Sequence, residues 1–149
     1  MTTAEYWLTE NFRELGLPPD AAAWLLDLWH VTQTFDDVAD GDPVDRAALD
    51  DTVWRCLVNM PANSFFMANA SQLLPALATA ICKWKASDDA ERSGRADEKS
   101  FVWRAAYYDI VLLTVLLCLG RESAMEKAGA VMALYGEDFA KYREEFPHA

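Results

Sequence analysis

The stretch His30–Arg46, HVTQTFDDVADGDPVDR, sets Asp36, Asp37 and Asp40 within about one turn of a helix. Acids at i, i+1 and i+4 repel one another by a few tenths of a kcal/mol per close pair. They also stand in the last turn before Gly41, where unsatisfied carbonyls make the helix end negative and each nearby acid costs about 0.3–1 kcal/mol. Local stability therefore does not account for them. A divalent cation would, because Mg²⁺ takes carboxylate oxygens and fills its octahedron with waters and a substrate phosphate. Asp36 and Asp40 share a helix face and can hold one ion or a bridged pair, while Asp37 points about 100° away toward a second position. The alternative is a solvated acidic surface, or ion pairs with Lys83, Lys85 or Arg104.

Asp109 interrupts the apolar run AAYYDIVLLTVLLCLG. A buried carboxylate without a partner shifts its pKa upward or costs several kcal/mol, so Asp109 needs one. It is either a fourth metal ligand, opposite Asp36 and Asp40, or a structural carboxylate that pairs with Arg104 or Lys85 or accepts from Trp or Tyr donors. Arg104 and Lys85 are in turn the candidate phosphate ligands, a guanidinium being suited to bidentate phosphate contact. His30, among Trp29, Val31 and Phe35, reads as a hydrogen-bonded core side chain, and His148 as a residue of a frayed end. No nucleophile has a base visible in the sequence and no glycine-rich phosphate loop is present, so any catalysis would depend on the metal.

DDVAD, Asp36 to Asp40, resembles the first DDxxD motif of the trans-isoprenoid synthases. Those are all-helical enzymes that bind prenyl diphosphates through Mg²⁺, and the resemblance implies Asp36, Asp37 and Asp40 as its ligands. No second DDxxD or NSE-type motif accompanies it, and Arg46 stands alone where prenyltransferases place an arginine pair. Asp37-x-x-Asp40 with Asp88-x-x-Glu91 is similar to the paired acidic motifs of the all-helical nucleoside-triphosphate pyrophosphohydrolases. FDDVADGDP, NMPANSFF and CKWKASDDAE look like segments of small phage and prophage proteins, a resemblance that carries no chemistry.

These residues have to be positioned by helices. The 149 residues suit one domain, 1–149, with a core large enough to need no staples. A formal charge of −11 opposes nucleic acid and anionic membrane, and favours metals, cationic ligands or basic partners. Cys56, Cys82 and Cys118 are far apart in apolar stretches and read as buried, reduced thiols. MTTAEYWLTENFRELG lacks the basic start and apolar run of a signal peptide, and the run from Ala105 is short for a membrane span, so a cytoplasmic protein is expected.

The periodicity is helical throughout. Thr2 and Glu5 form a capping-box pattern for a helix over Thr3–Leu15 whose face is Leu8, Phe12 and Leu15. Asp20 caps a second helix with the core stripe Trp24, Leu28, Val31, Phe35 and Val38, ending at Gly41. Asp42 and Pro43 open a third, running to about Val58. Asn63 caps a fourth, with a kink expected near Leu74 before Pro75. KASDDAERSGRADEK is the expected mobile loop. A central helix spans Asp97–Leu119, apolar on every side after Ala105 and closed by Gly120.

The last helix aligns Met125, Ala128, Met132, Tyr135, Phe139, Tyr142 and Phe146, as a core wall or as a seam for self-association. The expected fold is thus an all-α bundle of about six helices around a central apolar one. Two functions follow from it. One is a non-enzymatic interaction protein of phage type that docks through the acidic corner and the last helix. The other is a Mg²⁺-dependent domain that binds or hydrolyses a phosphorylated small molecule through Asp36, Asp37 and Asp40.

Overall fold

The computed structural model describes residues 2–147, and the reading of His148 lies outside them. The described chain is helical, with no strand. Its internal contacts divide it into two compact units, Met1–Ala70 and Ser71–Ala149.

In the first unit, α1 spans Thr3–Glu14 and starts on the expected capping box, Thr2 Oγ1 accepting from Glu5 N–H. Leu8, Phe12 and Leu15 are buried as their spacing requires. Helix α2 spans Pro19–Asp40 and buries Trp24, Leu25, Leu28 and Val31. Its N-cap is Pro18 rather than Asp20. Asp20 instead accepts from Ala21 N–H at 2.9 Å and from Ser64 Oγ at 2.7 Å. The core stripe stops a turn early, because Phe35 and Val38 are 52% and 59% exposed. Gly41 ends α2 at φ 76°, a conformation a side chain would strain, and its N–H caps the Asp37 and Val38 carbonyls.

Helix α3 spans Arg46–Trp54 and runs on through a π-helical turn, Arg55–Asn59, and a last turn, Met60–Ala62. Asp45 is its N-cap, accepting from Ala48 N–H at 2.7 Å, so Asp42 and Pro43 belong to the connection. The Thr52 hydroxyl donates to Thr34 Oγ1 at 2.8 Å, and Arg55 Nη1 lies 2.6 Å from Asp27 Oδ1. With the tight corner between them, these two contacts set α3 antiparallel along α2. Asn63 Oδ1 accepts from Phe66 N–H, the expected cap, and starts α4, Ser64–Arg92. Phe65 and Phe66 pack on Trp24 at centroid distances of 6.0 and 5.8 Å.

Helix α4 departs from helical geometry at Asn69 (φ −126°, ψ 16°) rather than at Leu74. The Asn69 amide donates to the Phe65 carbonyl at 2.9 Å, taking an acceptor of the helix ladder, and Pro75 is accommodated further along. The second unit begins just past this kink.

The expected mobile loop is mostly helix: α4 runs to Arg92, and only Ser93–Asp97 connects it to α5, Glu98–Trp103. Pairs of opposite charge at i, i+4 hold that polar end of α4, Lys85 with Asp89 and Asp88 with Arg92. Asp97 caps α5 by accepting from Lys99 and Ser100 N–H. The long central helix is interrupted at Arg104–Ala105, where the Ala105 N–H reaches back only to Val102 and tightens the turn. Beyond it α6, Ala106–Leu119, buries Ala106, Ile110, Val111, Thr114 and Val115 and ends at Gly120 as expected.

The last helix is also two: α7, Arg121–Met132, and α8, Phe139–Glu145, separated by a turn that contains Gly136. Its stripe divides accordingly. Tyr135, Phe139 and Tyr142 close on Phe101 with centroids 5.1–5.3 Å apart, whereas Met125 and Met132 remain exposed. None of the three cysteines forms a disulfide, and none is buried as expected: Cys56 and Cys118 are half-buried and Cys82 is exposed.

Candidate functional site

The acidic corner lies at the outer end of α2. Asp36 and Asp37 are half-buried, Asp40 is exposed, and Asp42 and Asp45 follow in the connection to α3. The corner exists because Gly41 reverses the chain at once and Asp45 restarts it. From Asp36 to Trp54 the chain carries seven aspartates and one arginine, and Arg46 is engaged by Asp50 at 2.9 Å. Apolar side chains stand among these acids. Phe35 and Val38 on α2, and Leu49 and Val53 on α3, flank the Thr34–Thr52 contact and are exposed. Trp54, 61% exposed, and Leu57 extend the apolar surface along α3 and its π-helical turn. A turn of π-helix widens the backbone and shifts the facing of the residues after it.

Deeper in the same unit, Arg55 bridges Asp27 and Asp51, which satisfies the one carboxylate α2 buries. His30 Nε2 is 3.4 Å from Glu5 Oε1. Burial works to raise the Glu5 carboxyl, but His30 and the Thr2 N–H outweigh it and hold it below the usual range.

The other proposed ligands belong to the second unit. Asp109 is about half exposed, so it is not the buried carboxylate its apolar setting suggests, and Lys83 Nζ meets its Oδ2 at 2.8 Å. The partner is thus Lys83 rather than Arg104 or Lys85. Lys85 is taken by Asp89, and Asp88 by Arg92. Arg104 Nε lies 3.7 Å from Glu91 Oε2 and 3.5 Å from Glu137 Oε2, so its partners are glutamates of its own unit and not aspartates of α2. Among the described residues, no group of three or more His, Cys, Asp or Glu side chains is arranged to hold a metal ion.

The most connected polar cluster surrounds Glu91. The Tyr142 hydroxyl donates to Glu91 Oε2 at 2.9 Å, and Ser87 Oγ is 3.3 Å from the same oxygen. Ser100 Oγ lies 2.6 Å from the Tyr142 phenol, and Ser87 donates to the Ser100 carbonyl at 2.8 Å. Arg104 covers the Tyr142 ring at 5.1 Å. Burial pushes the Glu91 carboxyl up, against the pull of the Arg104 charge and of the Tyr142 and Ser87 hydroxyls. This cluster fastens α8 to α4 and α5, and its polar atoms face one another.

Sequence reasoning placed Glu91 in an acidic motif and Tyr142 on an apolar stripe, and joined neither to the other. The available signal was the phenol itself, because a Tyr on a buried face requires a polar partner. No protein-family model, curated protein or solved structure matches the chain.

Proposed function

We propose that this chain is a non-enzymatic helical interaction protein, of the phage type its segments resemble, whose acidic corner docks a basic, amphipathic segment of a partner. The observation that carries the reading is the end of α2. The stripe that buries Trp24, Leu28 and Val31 continues as Phe35 and Val38, which are left in water among Asp36, Asp37 and Asp40. Apolar side chains supply binding free energy, and a rim of one charge supplies attraction and register. The acids, unfavourable at a helix C-terminus in the free chain, become favourable when lysines or arginines neutralise them.

The test is titration with a synthetic leucine/lysine amphipathic helix, beside its leucine/glutamate counterpart. Binding to the lysine peptide that weakens with salt and is lost in Phe35→Ser/Trp54→Ser is expected. Equal binding of both peptides, or of neither, contradicts the reading.

The second reading, a Mg²⁺ site for a phosphorylated small molecule on Asp36, Asp37 and Asp40, is supported by their spacing alone. It predicts Mg²⁺ or Mn²⁺ affinity that Asp36→Asn and Asp40→Asn both remove.

A further inference from the structure

An amphipathic surface helix turns its apolar stripe inward and its polar residues to water. The second half of α4 keeps Leu73 buried but leaves other apolar side chains outside. The side chains it turns into its own unit become polar toward its end: Lys83 pairs with Asp109, Ser87 is buried against the Ser100 carbonyl, and Glu91 receives Tyr142. Among the side chains it turns outward, beside polar ones such as Gln72, Thr79 and Lys85, are Leu74, 53% exposed, Ile81, 64% exposed, and the exposed Ala78 and Cys82.

We infer that this outer face is a self-association surface, taken by the same face of a second copy of the chain in an antiparallel, two-fold pairing. This inference is independent of the corner reading, since it uses a different helix and a different chemistry.

The spacing fits such a pairing. Leu74, Ala78, Ile81 and Lys85 alternate by four and three, the seam of two packed helices, with the small Ala78 at the centre where the backbones come closest. Charge argues for a second copy over a basic partner. Two chains of net charge −11 repel each other, but Ser64–Cys82 holds no charged residue. This face offers a cation nothing to pair with, and offers an identical apolar seam no repulsion.

Charge also selects the direction. Parallel pairing would set Lys85 on Lys85 and Asp89 on Asp89, whereas antiparallel pairing about Ala78 sends these ends apart and opposes the two helix dipoles. A lipid bilayer is the competing occupant of an uncharged helix face. Full immersion of α4 is opposed by Phe65 and Phe66, which pack on Trp24, and by Leu73, which is buried. One helix seam buries less than the roughly 1,200 Å² of standard interfaces, so the dimer is weak and concentration-dependent.

Sedimentation velocity of the full chain over a wide concentration range tests this, beside Ile81→Asp and Leu74→Asp, with a melt of each and flotation with phosphatidylcholine vesicles. The expected result is a wild-type mass rising from monomer toward dimer with concentration. Both variants stay monomeric with unchanged melting, because the substituted positions face water. A wild type that stays monomeric throughout overturns the inference, as does a dimer indifferent to both variants. Flotation that Ile81→Asp abolishes gives the face to lipid and overturns it too. Should the aspartates lower the melting point, Ala78→Cys/Cys82→Ser decides: mild oxidation is expected to give a covalent dimer, and its absence overturns the pairing. A ready Cys82–Cys82 disulfide in the wild type overturns the antiparallel direction.

Discussion

Glu91 in the second unit and the Asp36–Asp37–Asp40 corner in the first are both crowded acidic places, and the chain treats them differently. Around Glu91, Tyr142, Ser87 and Arg104 converge on one carboxylate, and the Tyr142 ring packs on Phe101 and under Arg104. At the corner, carboxylates gather at a negative helix end among exposed Phe35, Val38 and Leu49. A satisfied internal network holds a fold together. Like charges gathered at a helix C-terminus beside exposed apolar groups point instead to a role outside the fold itself.

The largest expected effect comes from breaking the network. Arg104→Met leaves Glu91 and Glu137 without their shared cation and should cost on the order of 3 kcal/mol in denaturant unfolding. Tyr142→Phe removes one donor to Glu91 and the contact with Ser100, and should cost about 1–2 kcal/mol. At the corner the sign reverses. Asp40→Asn relieves repulsion and the dipole penalty, and should raise stability by about 0.5 kcal/mol, read as a small rise in melting temperature. A loss there would make the corner a structural network like the one around Glu91.

The pH response sharpens the same contrast. Burial, with the nearby Glu91 carboxylate, pushes the Tyr142 phenol up to about 12, against the hydrogen bond from Ser100 and the Arg104 charge, which pull it down. A group whose pKa is raised on folding contributes stability that is fully present below its unfolded value, about 10 for a phenol, and lost as pH rises through the folded one. The second unit should therefore keep its structure to about pH 10 and weaken toward pH 12. Tyr142→Phe should lack that part of the loss, as followed by circular dichroism beside tyrosinate absorbance.

Much of the helical order was legible because capping and breaking are local. Thr2 with Glu5, Gly41, Asn63 and Gly120 all act where the sequence places them. What local pattern could not show was where a long helix would break for tertiary reasons. Phe101 gathers Tyr135, Phe139 and Tyr142, and that cluster is formed with a turn around Gly136 between α7 and α8, where the stripe alone reads as one helix. Nor could it show that KASDDAERSGRADEK would begin as helix, since its stability comes from charge pairs and from Ser87 meeting residues far along the chain. The corner was legible as an anomaly of charge. Its exposed apolar neighbours were not, because the stripe that includes Phe35 and Val38 is indistinguishable in sequence from one that is buried throughout.

The most direct measurement is a calorimetric titration of the full chain with Mg²⁺ and Mn²⁺, beside Asp36→Asn/Asp40→Asn, with a thermal melt of each in the absence and presence of metal. If the corner is a docking surface, the wild type shows no saturable metal binding and the double variant melts higher under both conditions. Saturable binding at micromolar to low millimolar affinity, lost in the variant together with a metal-dependent rise in the wild-type melting temperature, would contradict that account and make the corner a metal site.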